Sequence, residues 1–108
     1  MNTKKYSNKQ EKDIAKKFNG NKQFNSGATP FHKGDVISND FLFECKTSIT
    51  NKKSYSIKQE DLEKLKKEKF SMGRLYEALV FNFGPETENY YVITEQTILD
   101  FIELLKEE

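Results

Sequence analysis

Apolar residues recur along this chain with two different periods, and the changes between them mark out helices and strands. From Ser7 to about Phe18, the apolar positions Ile14, Ala15 and Phe18 follow helical spacing. Ser7 and Gln10 have the S-x-x-Q spacing of a capping box and Asn19-Gly20 is a stop signal, so a helix is predicted over 7–18. At about 100° per residue, Glu11 projects within the apolar arc of that helix and puts a carboxylate on the face that packs inward. Residues 19–33 are rich in Gly, Asn, Ser and Thr and predict a short strand at 23–25, then a loop through Ser26-Gly27-Ala28-Thr29-Pro30. The segments 34–38 and 41–48 read as strands. Asn39-Asp40 between them tolerates the positive φ angles of a tight turn, so a hairpin is predicted.

Ser56 and Gln59 form a second S-x-x-Q box, which predicts a helix to about Phe70 with Ile57, Leu62 and Leu65 facing inward. Residues 75–83 are apolar on both faces apart from Glu77 and Asn82, as a central strand is, and 90–93 make the next strand after a turn at Gly84-Pro85. Thr94 can cap a last helix whose core-facing stripe is Ile98, Phe101, Ile102 and Leu105. The predicted order is α-β-β-β-α-β-β-α. It gives a mixed α/β (α+β) domain spanning residues 1–108, with a central mixed sheet flanked by helices.

Composition narrows the picture. A chain of 108 residues, 35% hydrophobic and 32% charged, suits one core and contains no apolar run long enough for a membrane helix, so no membrane partner is expected. Residues 1–6 are basic and lead into Lys9, Gln10 and Glu11 without an apolar segment, so no secretory signal is expected and a cytoplasmic location is. The single cysteine, Cys45, fits a reducing compartment and cannot form an internal disulfide. Net charge is +1, but residues 1–53 hold eleven lysines against five acids, net +6, whereas 54–108 hold seven basic residues against twelve acids, net −5. This asymmetry suggests a basic face for a polyanion; a solvated lysine-rich surface is the plainer alternative.

The hairpin carries the chemistry. With a two-residue turn at Asn39-Asp40, Ser38 faces Phe41 and the same register sets Asp35 opposite Glu44. Two carboxylates whose Cβ atoms lie about 5 Å apart on one sheet face destabilise each other unless a proton or a cation lies between them. Lys46 points to that same face, while Phe41, Phe43 and Cys45 point to the other, Cys45 as a small buried hydrophobe. Asp35 and Glu44 suit a hard cation such as Mg²⁺, with Lys46 positioning water or stabilising a developing anion in phosphodiester hydrolysis. Glu11 could reach the same cation as a further ligand. The plainer alternative is an ion-pair ladder on a half-exposed hairpin. Lys33, Lys52 and Lys53 are candidate phosphate contacts. Lys64, Lys66, Lys67 and Lys69 read as a solvated face, and His32, beside Lys33 in the loop, is not assigned to catalysis.

Through Gly34-Asp35-Val36 and Phe43-Glu44-Cys45-Lys46, together with the element order, the chain resembles the PD-(D/E)XK nucleases. Closer still is a resemblance to small Holliday junction resolvases of the archaeal and phage type, carried by Glu11, Ser26-Gly27, Asp35 and Glu44-Cys45-Lys46 across residues 7–70. Gly34 stands where the family motif has proline. The resemblance implies a restriction-endonuclease-like core and an endodeoxyribonuclease using Mg²⁺, with Mn²⁺ as a substitute. Glu11, Ser26, Asp35, Glu44 and Lys46 would be its catalytic set, Ser26 touching the scissile phosphate. Four-way DNA junctions would be its substrate, and two symmetric cuts made by chains with one site each require a homodimer. Two alternatives remain: a nuclease acting on nicked, flapped or restriction-type DNA, and a DNA-binding protein with a vestigial site.

Overall fold

The computed structural model describes residues 3–23 and 35–107. Ser26, His32, Lys33 and Gly34 lie outside them, as do two of the three residues of the predicted 23–25 strand. The elements in chain order are α1 (Thr3–Lys17), β1 (Asn21–Lys22), β2 (Val36–Ile37), β3 (Phe41–Lys46), α2 (Gln59–Ser71), β4 (Tyr76–Phe81), β5 (Tyr90–Val92) and α3 (Glu95–Lys106). They form the expected mixed α+β arrangement of five strands and three helices. The strands lie side by side in chain order, with β3 and β4 parallel and every other neighbouring pair antiparallel. A parallel pair cannot be joined by a tight turn, so the chain crosses between β3 and β4 through α2.

The alternation of β3 divides the core into two layers. On one face Phe43 and Val36 pack with Ile14 of α1 and with Ala78 and Val80 of β4, and Cys45 packs against them while only half-buried. On the other face Leu42 and Ile37 pack with Leu65 of α2 and Leu79 of β4. β4 is buried along almost its whole length, as its two-sided apolar sequence requires. Glu77 is buried there too, and Lys69 of α2 meets it at 3.3 Å with Lys66 at 3.7 Å. Lys69 is thus buried and paired rather than part of a solvated face, because a carboxylate on a central strand needs a cation brought in from the covering helix.

Several boundaries differ from expectation. α1 starts at Thr3, a turn before the Ser7 box, since residues 3–6 hold no Gly or Pro to delay it and serine inside a helix costs only a few tenths of a kcal/mol. α1 ends where Asn19 adopts φ 53° and the Gly20 N–H bonds to the Ala15 carbonyl at 2.7 Å. Gly20 then runs so close to β2 that a Cβ there would sit 2.5 Å from the Ile37 carbonyl oxygen, and β1 begins directly after it. The Ser56 box does not form: Lys58 occupies the N-cap of α2 without a side-chain bond, and Glu60 and Asp61 in the first turn answer the helix dipole instead. Ile57 therefore precedes the helix and is exposed. Thr94 does cap α3, its Oγ1 accepting from the Thr97 N–H at 3.2 Å. The expected core stripe of α3 is mostly solvent-facing, however, because α3 meets the sheet only along the side that carries Thr97 and Phe101.

Candidate active site

The hairpin closes through the two residues Asn39-Asp40 as expected, although neither adopts a positive φ angle. The Ser38 N–H donates to the Phe41 carbonyl at 2.9 Å, and the Phe41 N–H donates to Ser38 Oγ at 3.2 Å. Val36 pairs with Phe43 and Ile37 with Leu42, a register that continued by one residue sets Asp35 opposite Glu44. β2 begins at Val36, and Asp35 just before it adds a further ladder contact. Its N–H donates to the Phe43 carbonyl at 2.9 Å, and its Oδ2 accepts from the Cys45 N–H at 2.8 Å. The carboxylate is thereby fixed near the C-terminal end of β3, at the residue between Glu44 and Lys46.

Glu44 lies on the α2 side of β3, its Oε2 3.5 Å from Lys46 Nζ, with the Glu44 side chain 22% exposed and that of Lys46 40%. Glu11 comes from α1, where its Oε1 stands 3.7 Å from Lys22 Nζ, and Lys22 also donates to Asn8 Oδ1 at 2.6 Å. Next to Glu11, the buried Gln10 donates from Nε2 to the Lys46 carbonyl at 3.0 Å and to Asn89 Oδ1 at 3.3 Å. α1 and β3 are therefore tied together at the Lys46 backbone.

Protonation reflects this crowding of acids. Burial, then the Asp35 charge, pushes the Glu44 carboxyl up to about 7 against the pull of Lys46. Glu11 is raised by burial and then by Asp35, with Lys22 opposing. Asp35 is raised by burial, partly offset by the Cys45 N–H bond and by Lys46, Lys64 and Lys22. The Cys45 thiol senses all three acids: burial first, then Asp35, Glu11 and Glu44 raise it. Burial pulls Lys46 down, but Glu44 and Asp61 outweigh it and leave its pKa raised, so Lys46 remains a cation.

Asp35, Glu44 and Lys46 are thus brought together, with Glu11 in electrostatic contact through Asp35. Among the described residues, no group of three His, Cys, Asp or Glu side chains is gathered to hold a metal ion. Asp35 and Glu44 are the two neighbouring carboxyls, each raised chiefly by burial, while Glu11 is engaged by Lys22. Lys52 and Lys53 are exposed on the segment between β3 and α2. Ser26 and Lys33 lie outside the described residues. Lys22, Tyr55, Asp61, Lys64 and Glu68 also bear on the carboxyls or on Lys46, although the sequence did not single them out for the site. Strand period could have flagged only Lys22. Tyr55, Asp61, Lys64 and Glu68 arrive through the packing of α2 and the segment before it, with Tyr55 stacked on Phe81 at 4.4 Å.

Protein-family models, curated proteins and solved structures were all searched for similarity to this chain, and none matches.

Proposed function

We propose that the protein is a metal-dependent endodeoxyribonuclease with a PD-(D/E)XK-type core. The observation that carries this reading is the junction of Asp35, Glu44 and Lys46 on one hairpin, with Glu44 raised to about 7 beside a lysine 3.5 Å away. Two crowded carboxylates lower in energy when a divalent cation joins them, and oxygen donors suit Mg²⁺, with Mn²⁺ as a substitute. Asp35 and Glu44 would hold the ion, with Glu11 as a further ligand once released from Lys22. The bound ion would supply an acidified water and charge neutralisation at the phosphate. Lys46, held cationic by Glu44 and Asp61, orients the attacking water and stabilises negative charge gathering on the phosphate oxygens. Asp35 keeps its orientation through the Cys45 N–H bond, and Gln10 anchors the Lys46 backbone.

The substrate in this reading is DNA, most specifically a four-way junction, and the working unit is a homodimer in the cytoplasm. The resemblance in Glu11, Ser26, Asp35, Glu44 and Lys46 supports the junction, and the two-fold symmetry of paired cuts supports the dimer. Among the described residues no helix is long and apolar enough to cross a membrane. The test is cleavage of labelled four-way junction, flap, linear duplex and single-stranded DNA by the purified protein, with and without Mg²⁺. Mg²⁺-dependent paired nicks in the junction are expected. Equal cleavage of junction and duplex would reduce the reading to a general nuclease, and absence of cleavage with DNA binding retained would leave a DNA-binding protein.

A further inference from the structure

A cavity of about 410 Å³ lies just past the end of β3, walled by α1 and by the residues of the turn between β4 and β5. Its volume is within the roughly 300–1,000 Å³ of small-molecule sites. The wall holds polar groups that the fold itself does not use. Gln10 is 6% exposed, and its Nε2 donates to the Lys46 carbonyl and to Asn89 Oδ1, yet its Oε1 has no hydrogen-bond partner. The amide cannot be turned round, because its oxygen would then face two acceptors. Asn89 Oδ1 also accepts from Asn82 Nδ2 at 3.4 Å, so this side chain is held by its oxygen while its Nδ2 hydrogens make no bond among the described residues. One acceptor and one donor on the same wall are thus left unspent, and a buried carbonyl without a partner is costly.

Along α1 the wall changes from neutral amide to cation. At about 100° per residue, Gln10 lies about 40° from the buried Ile14, whereas Lys9, Lys12 and Lys16 share an arc of about 60° on the exposed side. The two acids of the lining are matched, Glu86 by Lys9 and Asp13 by Lys17, each at 3.1 Å. Lys12 and Lys16 make no ion pair among the described residues. We propose that the cavity binds one unpaired nucleotide, its base against the Gln10 and Asn89 amides and its phosphate on Lys12 and Lys16. A nucleobase presents a donor next to an acceptor on its Watson–Crick edge, the complement of the unspent amide groups. Tyr6 adds an aromatic ring to the wall, on which any base can stack. Two sources offer this chemistry, a free nucleotide and an unpaired nucleotide within a DNA strand. Thr47 of the lining directly follows Lys46, so a strand lying at Lys46 brings its neighbouring nucleotide to the cavity. Only this second source rests on the proposed function.

Isothermal titration of the full chain without metal tests the site, using the deoxynucleoside 5′-monophosphates, the matching nucleosides and inorganic phosphate. At least one monophosphate should bind saturably, about 10-fold or more tighter than its nucleoside or phosphate alone. The double variant Lys12→Ala with Lys16→Ala changes two exposed residues, so it should keep the wild-type circular dichroism spectrum and weaken the monophosphate about 10-fold. Gln10→Met, which keeps the side-chain length and removes both amide groups, should weaken monophosphate and nucleoside alike; the lysine variant does not depend on its folding. A hairpin duplex carrying one 2-aminopurine, bulged or paired, separates the sources. Tighter binding of the bulge, displaced by the monophosphate, identifies a strand nucleotide, and equal binding of the two duplexes identifies a free one. Absence of saturable monophosphate binding, an affinity no better than that of inorganic phosphate, or an affinity unchanged in the folded lysine variant would overturn the inference. Monophosphate binding by a protein that cleaves no DNA would keep it and remove the nuclease reading; cleavage without monophosphate binding would do the reverse.

Discussion

The Glu44 carboxyl is largely buried, has Asp35 as its main charged opponent and Lys46 as its ion-pair partner. Its folded pKa of about 7 lies above its ordinary 4.5, so the folded chain holds this proton more tightly than the unfolded one. The associated stability is fully present below about pH 4.5 and is lost as pH rises through 7, a change of at most about 3 kcal/mol. Denaturant unfolding at pH 5 and pH 8 should show wild type losing stability with rising pH. Glu44→Gln should flatten that loss, and a curve identical to wild type would contradict the placement of Glu44. Lys46 is the complementary case, since its side chain is substantially exposed and little packing depends on it. Lys46→Ala should leave the thermal midpoint within a few degrees of wild type while lowering Mg²⁺-dependent cleavage by at least about 100-fold in kcat, the signature of an interaction made chiefly in the transition state. Retained kcat in the folded variant would remove Lys46 from the chemistry.

At the scale of elements, the site depends on how β1, β2 and α2 are seated. Gly20 has no room for a side chain against the Ile37 carbonyl, so Gly20→Ala must push β1 away from β2. A loss of about 1–3 kcal/mol is expected, measured by thermal or denaturant unfolding. Equal stability of the alanine variant would show that the approach can open without cost. Glu77 ties α2 to the centre of the sheet through Lys69 and Lys66. Glu77→Ala leaves Lys69 buried without its carboxylate and should cost about 3 kcal/mol or more, whereas Lys66→Ala, which removes the more exposed partner, should cost about 1 kcal/mol or less. Reversal of that order would mean that Lys69 reaches water in solution.

For the whole molecule, the uneven distribution of charge is the feature that bears on a polyanion. A protein whose residues 1–53 carry net +6 and which neutralises about six phosphates should lose on the order of 10³-fold in DNA affinity between roughly 50 and 200 mM salt. Titration of a fluorescent four-way junction and of linear duplex across that range measures both slope and preference. A flat salt dependence would show that the lysines of the first half do not meet phosphate.

Local rules were enough for what depends on near neighbours. The Asn39-Asp40 turn fixes the hairpin register by counting, and from it come the opposition of Asp35 to Glu44, the shared face of Lys46 and the placement of Cys45 on the face of Phe43. The Thr94 cap and the apolar length of β4 were legible for the same reason. The start of α1 and the Ser56 box were misread because a capping motif states where a helix can begin, not where packing makes it begin. The contributions of Lys22, Tyr55, Asp61, Lys64 and Glu68 to the site's electrostatics depend on layers meeting across the sheet, which no spacing records. The same holds for the burial of Lys69 against Glu77. The α3 stripe shows the division most plainly. Its sequence specifies an apolar arc, but hydrophobic burial is non-directional, and only the seating of Thr97 and Phe101 on the sheet decides which part of the arc enters this core and which part faces outward.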